Sequence, residues 1–195
     1  MRLLALELEP ADVVFVRSDG FFGRLIRKVT RDKSEPETLV NHVGLITRLR
    51  RDGHPLICEA LPSGVVRRPL GEAYGHGPEY VAVYRHRALT FENKVRVASW
   101  CERFMGGRYG FLKIGLHLLG KVLRRRGLPI RAEALCWWDS RPICSYAVAV
   151  SFAAEFPDMT WSDRLAREAD PDDMWDEVQN AESWRCIMPL SRLKG

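Results

Sequence analysis

Apolar and polar residues alternate along the first half of the chain and recur at helical spacing along the second. Residues 11–17, ADVVFVR, form a β-branched apolar run bounded by Pro10 and by Ser18-Asp19-Gly20, which predicts a first strand. FFGRLIRKVTR follows, with Phe22, Leu25, Ile26 and Val29 at the spacing of a short amphipathic helix. Beyond the polar loop DKSEPETL, residues 41–49 (NHVGLITRL) and 55–61 (PLICEAL) predict two strands joined by a tight turn at Asp52-Gly53. SGVVRRPL and residues 79–86 (EYVAVYRH) predict two more. Strands that follow one another this closely favour an antiparallel sheet.

Residues 91–105, FENKVRVASWCERFM, carry Val95, Ala98, Cys101 and Phe104 or Met105 as the inward stripe of a helix stopped by Gly106-Gly107. RYGFLKIGLHLLGKVLRRRG is a second apolar run, interrupted by glycine and ending in a basic tip. Residues 128–142 are irregular and hold Trp137 and Trp138. RPICSYAVAVSFAAEF then places Val148, Phe152 and Phe156 four apart beside small alanines, a helix packed against a core. TWSDRLARE and DPDDMWDEV each begin with a capping residue, Ser162 or Thr160 in the first and Asp170 before Pro171 in the second. WRCIMPL predicts a last strand. Strands first and helices second describe an α+β chain, with residues 1–195 expected to form one domain.

Composition narrows function little. The chain is 46% hydrophobic and 28% charged with a net charge of +5, an ordinary globular balance. Its basic residues are scattered and not interleaved with aromatics, so no nucleic-acid partner is expected. Five cysteines, at 58, 101, 136, 144 and 186, form no CxxC pair and show no metal-ligand spacing. Reduced thiols, no metal and no cofactor follow as expectations. The segment MRLLALELEP lacks a signal peptide's apolar core, and no run is long enough to span a bilayer. A cytoplasmic chain is therefore expected, with phage-associated or lysis-released delivery and peripheral lipid contact left open.

Cys144 stands at the first turn of its helix, where unpaired N–H groups and the helix dipole favour a thiolate. A buried cysteine acting as a small hydrophobe is the competing reading. A nucleophile needs a base and a group to orient it. His42 begins an otherwise apolar strand beside Gly44, which leaves room next to the imidazole; a strand-end histidine bonded to its loop would look the same. Glu59 lies between Cys58 and Ala60 and must find a partner if buried. A turn at Asp52-Gly53 puts His42 and Glu59 on one face but sets Glu59 opposite Ile46, about two side-chain steps from His42, so direct contact needs strong sheet coiling or a different register. Tyr109 either lines the site or stacks in the core, and Ser145 reads as a helix-start residue ahead of a second nucleophile.

NHVGLI, CEA with Glu59 seventeen residues after His42, SGVVRRPL, FMGGRYGF and CSYAVAV occur in this order. The series resembles the circularly permuted NlpC/P60 hydrolases of papain-like fold, the YiiX/YebB-like group, over about Asp12 to Phe156. The resemblance implies Cys144 as nucleophile, His42 as general base and Glu59 as the residue orienting the imidazole. It also implies an antiparallel, barrel-like sheet with the Cys144 helix packed against it. The chain departs from the pattern at Tyr146, where relatives often have an acid, and at Gly110, where they often have Asp after Tyr. Both lie near the expected site and bear on substrate choice. The function implied is a cysteine hydrolase that cleaves an amide or ester through a thioester acyl-enzyme, cell-wall peptides and lipid acyl groups (by hydrolysis or transfer) included. A non-catalytic binding module or a virion structural role on the same fold is the alternative. Small peptides or acyl compounds are the expected partners.

Overall fold

The computed structural model describes residues 7–30, 38–110, 115–116, 119–120, 122–123, 126–128, 142–162 and 165–193. Within the first helix it describes the side chains of residues 23, 24 and 26–28. Cys136, His117, the Trp137–Trp138 pair and most of the apolar run after Gly110 lie outside these residues, as do the inward positions Phe22, Leu25 and Val29 of that helix.

Six strands form one sheet. They are β1 (Val13–Arg17), β2 (His42–Leu49), β3 (Pro55–Leu61), β4 (Gly64–Pro69), β5 (Tyr80–His86) and β6 (Trp184–Arg192). Their order is β4-β3-β2-β1-β5-β6, and every neighbouring pair is antiparallel. The sheet stays open, which corrects the expected barrel: β4 and β6 end the sheet on opposite sides and do not pair. Part of the β4 edge is occupied instead by residues 106 and 107, through Val65 N–H to Gly107 O at 3.0 Å and Gly106 N–H to Val65 O at 3.0 Å.

The described helices are α1 (Phe21–Thr30), α2 (Leu70–Tyr74), α3 (Phe91–Glu102), α4 (Cys144–Ala153) and α5 (Pro171–Asn180). The fold is thus mixed α+β. Strand alternation sorts the two faces. Phe15, Val43, Leu45, Cys58, Ala60 and Ala82 point to the core shared with α3, α4 and α5. Val14, Val16, Ile46, Ile57, Val81 and Val83 point the other way, under Leu70 and Tyr74 of α2.

Several expectations shift in detail. Helix α3 buries Val97, Ala98 and Cys101, whereas Val95 and Met105 are exposed. The three-residue step from Val95 finds Ala98 and Cys101 but not Val97, which is buried in place of Val95. Residues 160–168 hold no helix among those described: Ser162 adopts a left-handed φ of 46° and its hydroxyl donates to Asp173 O at 2.9 Å, serving α5 instead. Asp170 caps α5 in a reciprocal box, accepting from Asp173 N–H at 3.0 Å while Asp173 accepts from Asp170 N–H at 3.0 Å. The sequence pattern gave no sign of α2.

Candidate active site

His42 is the first residue of β2, and the β2–β3 register sets its distance from Glu59. Leu45 pairs with Cys58 and Ile46 with Ile57, which brings Glu59 across from Gly44, one alternate position from His42. The tight-turn register is corrected by two slips. The loop closes between Arg50 and His54, with Arg50 N–H to His54 O at 2.8 Å and Gly53 at φ 80°. One extra residue, Thr47, then bulges between the Ile46 and Arg48 pairs. Each slip alone would turn His42 and Glu59 to opposite faces; together they keep the face and shorten the separation. His42 Nε2 and Glu59 Oε2 are 2.7 Å apart.

Glu59 has no exposed side-chain surface, and its charge is met on every side. Arg68 Nε donates to Oε1 at 2.6 Å, and Tyr74 Oη donates to the same oxygen that faces His42. Arg68 reaches it because β4 pairs Val66 with Glu59, leaving Arg68 diagonal to it on the same face. Tyr74 comes down from α2, whose chain turns over that face directly after Pro69. Burial opposes ionisation of Glu59, but His42, Tyr74 and Arg68 outweigh it and hold the carboxyl down to about 2. Burial likewise disfavours the imidazolium of His42. The charge and hydrogen bond of Cys144, with those of Glu59, overcome this and push it up to about 10.

Cys144 belongs to the core on the opposite face of the sheet, so the three residues meet at the rim where β2 starts. With Nε2 committed to Glu59, Nδ1 is the ring nitrogen left for Cys144. Helix α4 opens on Ile143 with no side-chain cap, leaving its first N–H groups to serve a ligand. Pro142 O accepts from Gly110 N–H at 3.0 Å, and this bond together with the Gly106 and Gly107 bonds straps residues 106–110 from β4 to the start of α4. Gly64 is needed under the strap: its φ is 122°, and a Cβ would lie 2.9 Å from Gly107 O.

A cavity of about 240 Å³ opens on these groups, lined by Cys144, His42, Tyr109, Arg68, Tyr74 and Glu79, with Leu61, Pro62 and Ile26 as apolar walls. Helix α1 comes close because Gly23 has no side chain; a Cβ there would lie 2.4 Å from Asn41 Nδ2. Asn41 in turn pins β1 to β2, donating to Ser18 O at 2.8 Å. Tyr109 lines the cavity while nearly buried, and burial and the charge of Cys144 raise its hydroxyl's pKa. Gly44 and Ser145 are not among the lining residues: the space above Gly44 is filled by Ile57, and Ser145 is buried in α4. Of the other histidines, His86 is half-buried against Trp184 and His54 sits in the hairpin loop.

Arg68 and Tyr74 were not found from sequence. Arg67 and Arg68 are equivalent until the register is known, and Tyr74 sits on a helix that no periodicity marks. No protein-family profile matches the chain, and no curated protein sequence matches it. Among solved structures, the fold is similar to the crystal structure of the metalloprotein YiiX from Escherichia coli O157:H7, with a TM-score of 0.57 and 16% identity, covering 96% of this chain and 98% of that one. The chain therefore has a YiiX-like fold.

Proposed function

We propose that the chain is a cysteine hydrolase of the circularly permuted papain-like kind, cleaving an amide or ester through a thioester acyl-enzyme. The observation that carries this reading is the Cys144, His42 and Glu59 series, buried at one end and opening on a cavity at the other. His42 holds the proton taken from Cys144, and Glu59 fixes the ring so that Nδ1 faces the sulfur. The thiolate attacks a carbonyl, forming a C–S bond, and the oxyanion rests on the first N–H groups of α4. His42 then protonates the leaving amine or alcohol as the C–N or C–O bond breaks. Water, losing its proton to His42, attacks the thioester and releases the acid. Peptide or isopeptide amides and acyl esters are the substrate classes that fit this chemistry.

A metal centre is not part of the proposal. Among the described residues no group of three or more His, Cys, Asp or Glu side chains is arranged to hold a metal ion, and both oxygens of Glu59 are already bonded.

Alkylation tests the reading without a known substrate. Cys58 and Cys101 are fully buried and Cys186 is exposed, so Cys186 is the proper comparator. At neutral pH iodoacetamide should label Cys144 faster than Cys186 despite its burial, and His42→Gln should slow Cys144 by about 100-fold, at the low end of what a positioned base supplies. Faster labelling of Cys186 in the wild type would count against the triad and for a binding module.

A further inference from the structure

We propose that Arg68 forms an anion subsite of the cavity and selects substrates bearing a carboxylate near the scissile carbonyl. The proposal rests on the cysteine-hydrolase reading and adds to it the chemistry of the substrate. Arg68 does two things at once. Its Nε is bound to Glu59 at 2.6 Å, and its guanidinium lies 5.3 Å from the centre of the Tyr74 ring. Those contacts fix the plane of the group from the Nε side. The Tyr74 hydroxyl is a second side-chain partner of the guanidinium, yet the side chain stays 36% exposed and lines the cavity beside Cys144.

A guanidinium held by one edge presents a rigid pair of donors, and a carboxylate matches that fork in two parallel bonds. The neighbouring Arg67 is turned to the other face, where it binds Glu102 at 2.6 Å, so Arg68 alone of the pair serves the cavity. The charges beside it are those of Glu59, His42 and Cys144, one cation and two anions whose excess negative charge Arg68 itself balances, and that of Glu79, which also lines the cavity. Glu79 makes the cavity unlike a general positive well; selection comes from the fork. At about 240 Å³ the space takes a short acyl portion with its acid group.

Two alkylating reagents of nearly equal size, neutral iodoacetamide and anionic iodoacetate, read the subsite. The rate ratio of iodoacetate to iodoacetamide at Cys144, normalised to that at Cys186, is measured by peptide mass in the wild type, Arg68→Gln, Arg68→Lys and Tyr74→Phe. We expect the ratio to fall about ten-fold in Arg68→Gln, as losing one charged hydrogen bond implies, and to fall less in Arg68→Lys. Tyr74→Phe disturbs Glu59 but leaves the guanidinium charged, so it slows both reagents alike and keeps the ratio. Succinate should also protect wild-type Cys144 from iodoacetamide while inorganic phosphate does not. An unchanged ratio in Arg68→Gln overturns the proposal, and equal protection by phosphate overturns the carboxylate assignment. If Cys144 fails to outpace Cys186 with the neutral reagent, the triad reading itself fails and the subsite falls with it.

Discussion

Glu59 carries the charge balance of the site. A carboxylate with no exposed surface is tolerated only because three donors converge on it, and removing any one leaves a buried acceptor short of a partner. Tyr74→Phe deletes one bond to a charged acceptor while keeping the ring that packs under α2, and should cost about 1.5–3 kcal/mol by urea unfolding. Cys144→Ala should act on His42 instead. The sulfur's charge and hydrogen bond are the leading causes that raise the imidazole, so their removal should lower the His42 titration midpoint from about 10, read from its ring-proton shifts by NMR. A midpoint unmoved in that variant would show that Glu59 alone sets it.

The β2–β3 hairpin decides whether those residues meet. Deleting Thr47 removes the bulge but leaves Arg48 across from Leu56 and Ile46 across from Ile57 as consecutive pairs, so His42 and Glu59 keep their shared face and their separation. That variant should therefore keep the fast labelling of Cys144, and a loss of that labelling would show that the bend of the bulge, not the register, positions His42. The same hairpin marks the limit of what sequence shows. Alternation in residues 41–49 and 55–61 correctly gives two strands and a shared face for His42 and Glu59. It cannot give the register, because the loop slip and the bulge each shift pairing by one and leave no net trace in the alternation. The helix at Cys144 was legible from Val148 and Phe152, which α4 does bury or nearly bury. Helix α2 was not, being a single turn too short for a period to show.

Across the whole molecule, the sheet separates the two halves of the site: Glu59 is braced under α2 on one face, and Cys144 is delivered by α4 on the other. The ion pair that joins them at the rim makes stability depend on pH in a defined direction. His42 is raised in the folded state, so its contribution is complete below about 6.5 and fades as pH rises toward about 10. Glu59 is lowered, so its contribution is complete above about 4.5 and fades as pH falls toward about 2. The melting-temperature difference between the wild type and His42→Gln should therefore shrink steadily from pH 6.5 to 10. A constant difference over that range would show that packing, not charge, makes the contribution. No described helix is long and apolar enough to cross a membrane.

The strap of residues 106–110 has a consequence beyond catalysis. A bare edge strand is a template on which another chain can build, and natural sheets guard against it with prolines, charges or a covering segment. At β6 the guards are Pro189 and the flanking Arg185 and Arg192. At β4 the guard is the strap itself, through the two bonds to Val65 that also carry Tyr109 toward Cys144. Self-association and loss of the site are thus expected to arise together from one lesion. A bulky residue at Gly64 would disturb the cavity and uncover an adhesive edge in the same step.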